Sequence, residues 1–138
     1  LNPAPACALP AALLGCVNLI TPNENEAERL TGVAVEDEAG ARAAAIALCA
    51  KGVKRVVITM GAKGAFVYED GKGLTVPAFK VDAVDTTAAG DVFNGALAVA
   101  LTEGMALAEA VTFSAKAASI SVTRMGAQAS APYRKEIG

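Results

Sequence analysis

The run Arg55-Val56-Val57-Ile58-Thr59-Met60 limits the architecture more than any other feature of the sequence. A strand with one wet face alternates apolar and polar residues, whereas an uninterrupted β-branched run must be covered on both faces, as in a parallel sheet flanked by helices. Composition agrees with such a layered fold. The 138 residues are 54% hydrophobic, but 32 of them are alanine and only 4% are aromatic, with no Trp, so tightly packed helices are expected. Residues 1–138 read as a single compact soluble domain. No apolar run approaches the roughly 18 residues needed to span a bilayer, so no membrane association is expected. A net charge of -2 without a basic cluster predicts no nucleic-acid partner.

Helical and strand patterns alternate along the chain. Pro10 to Leu14 opens as a short helix with Pro in its first turn, and Val17-Asn18-Leu19-Ile20 reads as a short strand ending at Thr21-Pro22. Asn23 followed by Glu26 has the form of a capping box, predicting a helix to about Leu30 that stops at Gly32. A second helix is expected over Asp37–Ala50, with Ile46 and Ala50 on one face and Gly52 as terminator. After Gly61 the pattern changes to Ala65-Phe66-Val67-Tyr68, a Gly-containing turn, and Leu74-Thr75-Val76, which predicts an antiparallel hairpin. Phe79-Lys80-Val81 is extended. Helices are then expected from Ala89 to Leu101, stopped by Gly104, and from Leu107 to Val122. The fold class is therefore α/β, a three-layer sandwich whose sheet is mainly parallel with an antiparallel hairpin at its edge. Leu1-Asn2-Pro3-Ala4-Pro5 has no Met and no basic leader region, and reads as the end of a strand running into a turn.

The chain contains no histidine, which removes Ser-His-Asp triads, Cys-His dyads and most zinc-hydrolase sites. Acid-base chemistry falls to a carboxylate, Lys, Tyr or Cys. Cys7, Cys16 and Cys49 are odd in number and scattered, so buried structural thiols in a reducing, cytoplasmic setting are expected rather than disulfides. The most informative stretch is Asp85-Thr86-Thr87-Ala88-Ala89-Gly90-Asp91. Its small residues run straight into a helix, so the N–H groups of Ala88, Ala89 and Gly90 can stand uncovered where an anion binds. Asp91 in the first turn could accept a hydroxyl proton beside them, or could simply favour the helix dipole. Asn23 and Glu26 likewise either close their capping box or offer an amide and a carboxylate to a hydrated cation, and both can hold at once. Thr59-Met60-Gly61-Ala62-Lys63-Gly64 follows a strand end with a glycine turn, where ligands of open α/β sheets sit.

The segment Asp85–Leu97 resembles the C-terminal signature of the ribokinase-like, phosphofructokinase-B type carbohydrate kinases. Leu1–Pro5, Thr21-Pro22-Asn23-Glu24-Asn25-Glu26-Ala27-Glu28 and Thr123-Arg124-Met125-Gly126-Ala127-Gln128 with Ser130 agree in order and spacing. The resemblance implies an ATP-dependent phosphotransferase acting on the primary hydroxyl of a sugar, most closely D-ribose to ribose 5-phosphate. It makes Asp91 the general base, Ala88, Ala89 and Gly90 the anion hole, and Asn23 and Glu26 organisers of Mg²⁺ and phosphates. It assigns the nucleotide to Thr59, Met60, Gly61, Ala62, Lys63 and Gly64, with Gly90 and Ala115. A monovalent cation, K⁺, is implied beside Asp85, Thr87, Ser121, Arg124, Gly126 and Ser130, several of them through backbone carbonyls. Where the family commonly carries Asn or His near the adenine, this chain has Ala115 followed by Lys116. The family's sugar-binding residues, its Gly-Gly-Asn motif and its lid belong to an N-terminal half with no counterpart here, and a homodimer is implied only for the full-length form. Two other readings stay open: a kinase for another sugar, a nucleoside or a hydroxymethylpyrimidine, and a truncated, catalytically silent nucleotide-binding fragment.

Overall fold

The computed structural model describes Leu1–Gly138. The chain forms two compact units, Leu1–Gly61 with Ala65–Thr75, and Ala62–Gly64 with Val76–Gly138.

The first unit is built on β2 (Arg55–Thr59), the β-branched run of the sequence, whose Val56, Val57 and Ile58 are fully buried. β1 (Leu19–Ile20) pairs parallel to it, with Leu19 opposite Arg55, and is shorter than the four-residue strand expected. β3 (Ala65–Glu69) pairs antiparallel on the other side, with Val57 opposite Val67. β4 (Lys72–Val76) completes the order β1-β2-β3-β4 across the turn at Asp70 and Gly71, whose φ values of 50° and 75° are those of a hairpin turn with left-handed central residues. The fold is α/β with the hairpin edge expected, and the sheet within these residues is mixed, its parallel part being the β1–β2 pair. Leu1 continues that parallel pattern, because its N–H donates to Leu19 O at 2.7 Å and its carbonyl accepts from Thr21 N at 3.0 Å.

Three helices accompany these strands: α1 (Ala11–Leu14), α2 (Glu24–Thr31) and α3 (Glu38–Ala50). α2 ends as read, at Gly32 in the left-handed region, and Asp37 caps α3 by accepting Gly40 N–H at 2.8 Å. The buried stripe of α3 is Ala41, Ala44, Ala45 and Leu48, and the face that Ile46 shares with Ala50 is exposed, Ile46 at 48%. Each alanine adds little hydrophobicity, so the stripe that packs is set by how closely backbones approach, and the larger Ile46 is left outside. The core joins these residues to Ile20, Val56, Ile58 and Phe66. The thiols also depart from expectation: Cys7 and Cys16, in the segments flanking α1, are exposed, and Cys49, although packed against the core, is only partly buried.

The second unit is a helix pair. α4 (Ala89–Thr102) and α5 (Leu107–Val122) pack against each other across a turn at Gly104, close to the bounds read from the sequence. Phe93, Ala96, Leu97 and Ala100 of α4 and Leu107, Ala110, Val111, Phe113 and Ala117 of α5 are buried at helical spacing. Buried Ser114 and Ser121 return their hydroxyls to Ala110 O and Ala118 O at 2.6 and 2.8 Å, so neither leaves an unmade bond. A short last helix, α6 (Arg134–Ile137), ends the chain. No helix is long and apolar enough to cross a membrane.

Candidate active site at the start of α4

The approach to α4 is fixed by one carboxylate. Asp85 Oδ1 accepts Thr87 N–H at 2.9 Å, and its Oδ2 accepts Gly126 N–H at 3.0 Å, so Asp85 ties the α4 approach to the turn after α5. The Thr87 hydroxyl and amide, followed by the Gly126 amide, hold the Asp85 carboxyl below the usual carboxylate range. Asp85 N and Val84 N both donate to Val122 O, at 3.1 and 2.7 Å, which secures the same junction through the backbone.

Ala88 is the N-cap of α4 and lies at φ 59° and ψ 14°, a left-handed conformation that costs a non-glycine residue about 1–2 kcal/mol. No side chain caps the helix. Val92 N closes the first turn on Ala88 O at 2.9 Å, leaving Gly90 N–H without a backbone acceptor. Ala89 N–H, expected to stand uncovered, is instead drawn back to Thr86 O at 3.2 Å by the turn that the left-handed residue creates. Above Gly90 there is open space, since a Cβ placed there would meet nothing within 4 Å. A strained turn and an uncapped helix start thus present N–H groups and the positive end of the dipole to a vacant surface, the arrangement that holds an anion. Asp91 is exposed in that first turn and also lines a cavity of about 520 Å³ with Val92, Gly95, Phe113, Ala117 and Arg134. A carboxylate beside an anion hole can take a proton from a hydroxyl while the amides stabilise a transferring phosphoryl group.

In the first unit the capping box forms as read: Asn23 Oδ1 accepts Glu26 N–H and Glu26 Oε2 accepts Asn23 N–H, both at 2.8 Å. Asn23 also bridges Thr59 at the carboxyl end of β2, where Thr59 N donates to Pro22 O at 3.0 Å. The box engages Asn23 Oδ1 and Glu26 Oε2 and does not use the second Glu26 oxygen. No group of three or more Cys, Asp or Glu gathers to hold a metal by side chains alone. Gly61–Lys63 forms a 3₁₀ turn after β2. Gly61 faces open space, whereas Gly64 is held at φ 98° and a Cβ there would lie 2.0 Å from Val76 O, so only glycine fits.

Of the residues expected beside K⁺, two are joined directly to Asp85. Asp85, Thr87 and Gly126 are joined by the two bonds above, Ser121 O accepts Arg124 N–H at 3.0 Å, and buried Ser130 donates its hydroxyl to Ala127 O at 2.7 Å. Ala115 is half-buried on α5. The left-handed conformation of Ala88 is not legible in the sequence, and the family resemblance groups Asp85 with Gly126 at one cation site without giving the bond between them; the short spacing Asp85–Thr87 suggests the first half of that clamp, since Asp commonly accepts an amide two residues on.

The family model for "pfkB family carbohydrate kinase" matches residues 1–134. The chain is 53% identical to a ribokinase of Haemophilus influenzae over 136 residues, covering 99% of this chain and 44% of that protein. Among solved structures it is similar to the ribokinase of Thermotoga maritima, with a TM-score of 0.88 and 46% identity over 99% of this chain and 46% of that one. It also resembles the Arabidopsis thaliana ribokinase complexed with ribose and ATP, with a TM-score of 0.90 and 37% identity over 95% of this chain and 43% of that one. The chain therefore spans less than half the length of the relatives it matches, and it belongs to the pfkB family of carbohydrate kinases.

Proposed function

We propose that this chain is the C-terminal, nucleotide-binding portion of an ATP-dependent sugar kinase of the cytoplasm that phosphorylates the primary hydroxyl of D-ribose. The observation that carries this reading is Asp91 in the first turn of α4, directly after left-handed Ala88 and the unbonded Gly90 amide. Asp91 accepts the hydroxyl proton, and the amides of Ala88 and Gly90 receive the charge that builds on the transferred phosphoryl group. Thr59 to Gly64 border the nucleotide, with Gly61 leaving room for close approach of the backbone and Ala115 on the adenine side. Asn23 and Glu26 orient a hydrated Mg²⁺, which when bound offsets phosphate charge. Asp85, with carbonyls of Thr87, Ser121, Arg124 and Gly126 and the Ser130 hydroxyl, suits K⁺ as a hard oxygen set behind the anion hole.

Similarity to a ribokinase complexed with ribose and ATP supports the choice of sugar and nucleotide. Because the match covers under half of the relatives named above, the 138-residue chain is expected to bind nucleotide without turning over sugar. Calorimetry of the chain with ADP and Mg²⁺, beside a coupled assay with ribose and ATP, tests this. Heat of binding with no turnover is the expected result. Absence of heat at millimolar ADP would sink the nucleotide-binding reading, and ribose-dependent turnover by the chain alone would sink its incompleteness.

A further inference from the structure

Although α6 has four residues, ion pairs connect it with the helix pair and with the turn after α5. Arg134 grips Glu103, the C-cap of α4, through Nε and Nη2 at 3.0 and 2.8 Å, and its guanidinium lies 4.6 Å from the centre of the Phe113 ring on α5. Glu136 Oε2 accepts Tyr133 N–H at 2.7 Å, and its Oε1 accepts Arg124 Nη2 at 2.7 Å. Arg124 stands two residues before Gly126, the residue whose amide is held by Asp85. A continuous path therefore runs from Glu136 through Arg124, Gly126 and Asp85 to Thr87, immediately before the strained Ala88.

We propose that Arg124 and Glu136 are positioning residues: their ion pair fixes the Thr123–Gly126 turn so that its amide closes the Asp85 clamp, which in turn sets the Thr87–Gly90 entry to α4. The role rests on the phosphate-binding function proposed above. Both side chains are about one-third exposed, at 37% and 32%, and such pairs add little to global stability. Their effect falls on local conformation instead. Gly126 sits at φ 92°, where a glycine released from its partners samples many alternatives, and the ion pair selects the one that aims its N–H at Asp85.

The test is amide hydrogen exchange in the ¹⁵N-labelled 138-residue chain. Glu136→Gln keeps an oxygen for Tyr133 N–H and removes the charge that holds Arg124. Exchange at Gly126 and Thr87 should quicken about two- to fivefold, the range open to a surface ion pair, with Val111 and Ala110 unchanged. Arg124→Lys, which keeps a cation opposite Glu136 and leaves the Tyr133 bond intact, should retain the slow rates, which loss of the guanidinium's packing alone would not permit. Unaltered rates at Gly126 and Thr87, or an equal rise at Val111, would overturn the proposal. Arg124→Gln gives the same reading should Glu136→Gln fold poorly. Inorganic pyrophosphate, followed at the Ala89 and Gly90 resonances, should bind more weakly to Glu136→Gln. An unsubstituted chain indifferent to pyrophosphate would break the proposed function alone, and the exchange pattern decides the positioning role in either case.

Discussion

The sheet unit and the helix-pair unit are held by different means. In the first, Ile20, Leu48, Val56, Ile58 and Phe66 form a core of large apolar side chains, so stability follows the area removed from water. In the second, Phe93, Leu97, Leu107, Val111 and Phe113 alternate with buried alanine and serine along α4 and α5, and the loops around them are tied by Asp85, Arg124–Glu136 and Arg134–Glu103. Small side chains let backbones and loops approach closely and leave amides uncovered, at the cost of relying on directional bonds. The directional bonds around the entry to α4 thus set the second unit apart, and Asp91 lies within it.

Four measurements test that contrast. The largest effect is expected at Asp91: in the kinase carrying this segment, Asp91→Asn should lower phosphoryl transfer about 10²–10⁴-fold, the usual worth of a general base, with ADP affinity retained. Loss of ADP binding to the same degree would make Asp91 a binding group. Next, Phe66→Ala removes a fully buried ring from the sheet core and should cost about 3–5 kcal/mol, read by urea denaturation with amide exchange at Val56–Ile58 rising most. An equal rise at Ala110 and Val111 would mean that the two units open together.

Ala88→Gly should act in the opposite direction. Relief of the left-handed alanine is expected to stabilise the second unit by up to about 1 kcal/mol, seen as a higher urea midpoint, and a lower midpoint would show that the turn is not strained. The smallest effect is that of acid. Arg134 hydrogen bonding lowers the Glu103 pKa, Arg124 and then the Tyr133 amide lower that of Glu136, and Thr87 and Gly126 lower that of Asp85. Carboxyls depressed in the folded state stabilise it above their ordinary values of 4.5 and 3.8 and lose that contribution as pH falls through the depressed ones. Exchange at Gly126 and Thr87 should therefore accelerate below about pH 4 after correction for intrinsic rates. Glu103 and Glu136 are exposed, so added salt should shrink their part of the effect.

Much of the first unit could be read from residues in sequence. The β-branched run became β2, and Asn23 with Glu26 became the capping box at its carboxyl end, because both signals are local. The bounds of α5 were equally legible, since Leu107 and Val122 delimit an uninterrupted helical pattern. α3 was harder: with alanine at Ala41, Ala44, Ala45 and Ala47, the apolar stripe carries little contrast and Ile46 misleads. At the candidate site, Asp91 and its small-residue approach were visible as a motif. The conformation of Ala88 was not, because alanine has no preference for positive φ, and the proximity of Asp85 to Gly126 came only from the family resemblance, because local patterns do not encode the bond between them.

That last pairing also bears on the order of assembly. The bond from Gly126 to Asp85 spans 41 residues and encloses both α4 and α5. Its closure entropy is steep for an open chain and small once the two helices have zipped against one another. The anion-binding entry should accordingly be the last part of its unit to organise, with low φ-values at Asp85 and Gly126, so that weakening it hastens unfolding while leaving the folding rate nearly untouched.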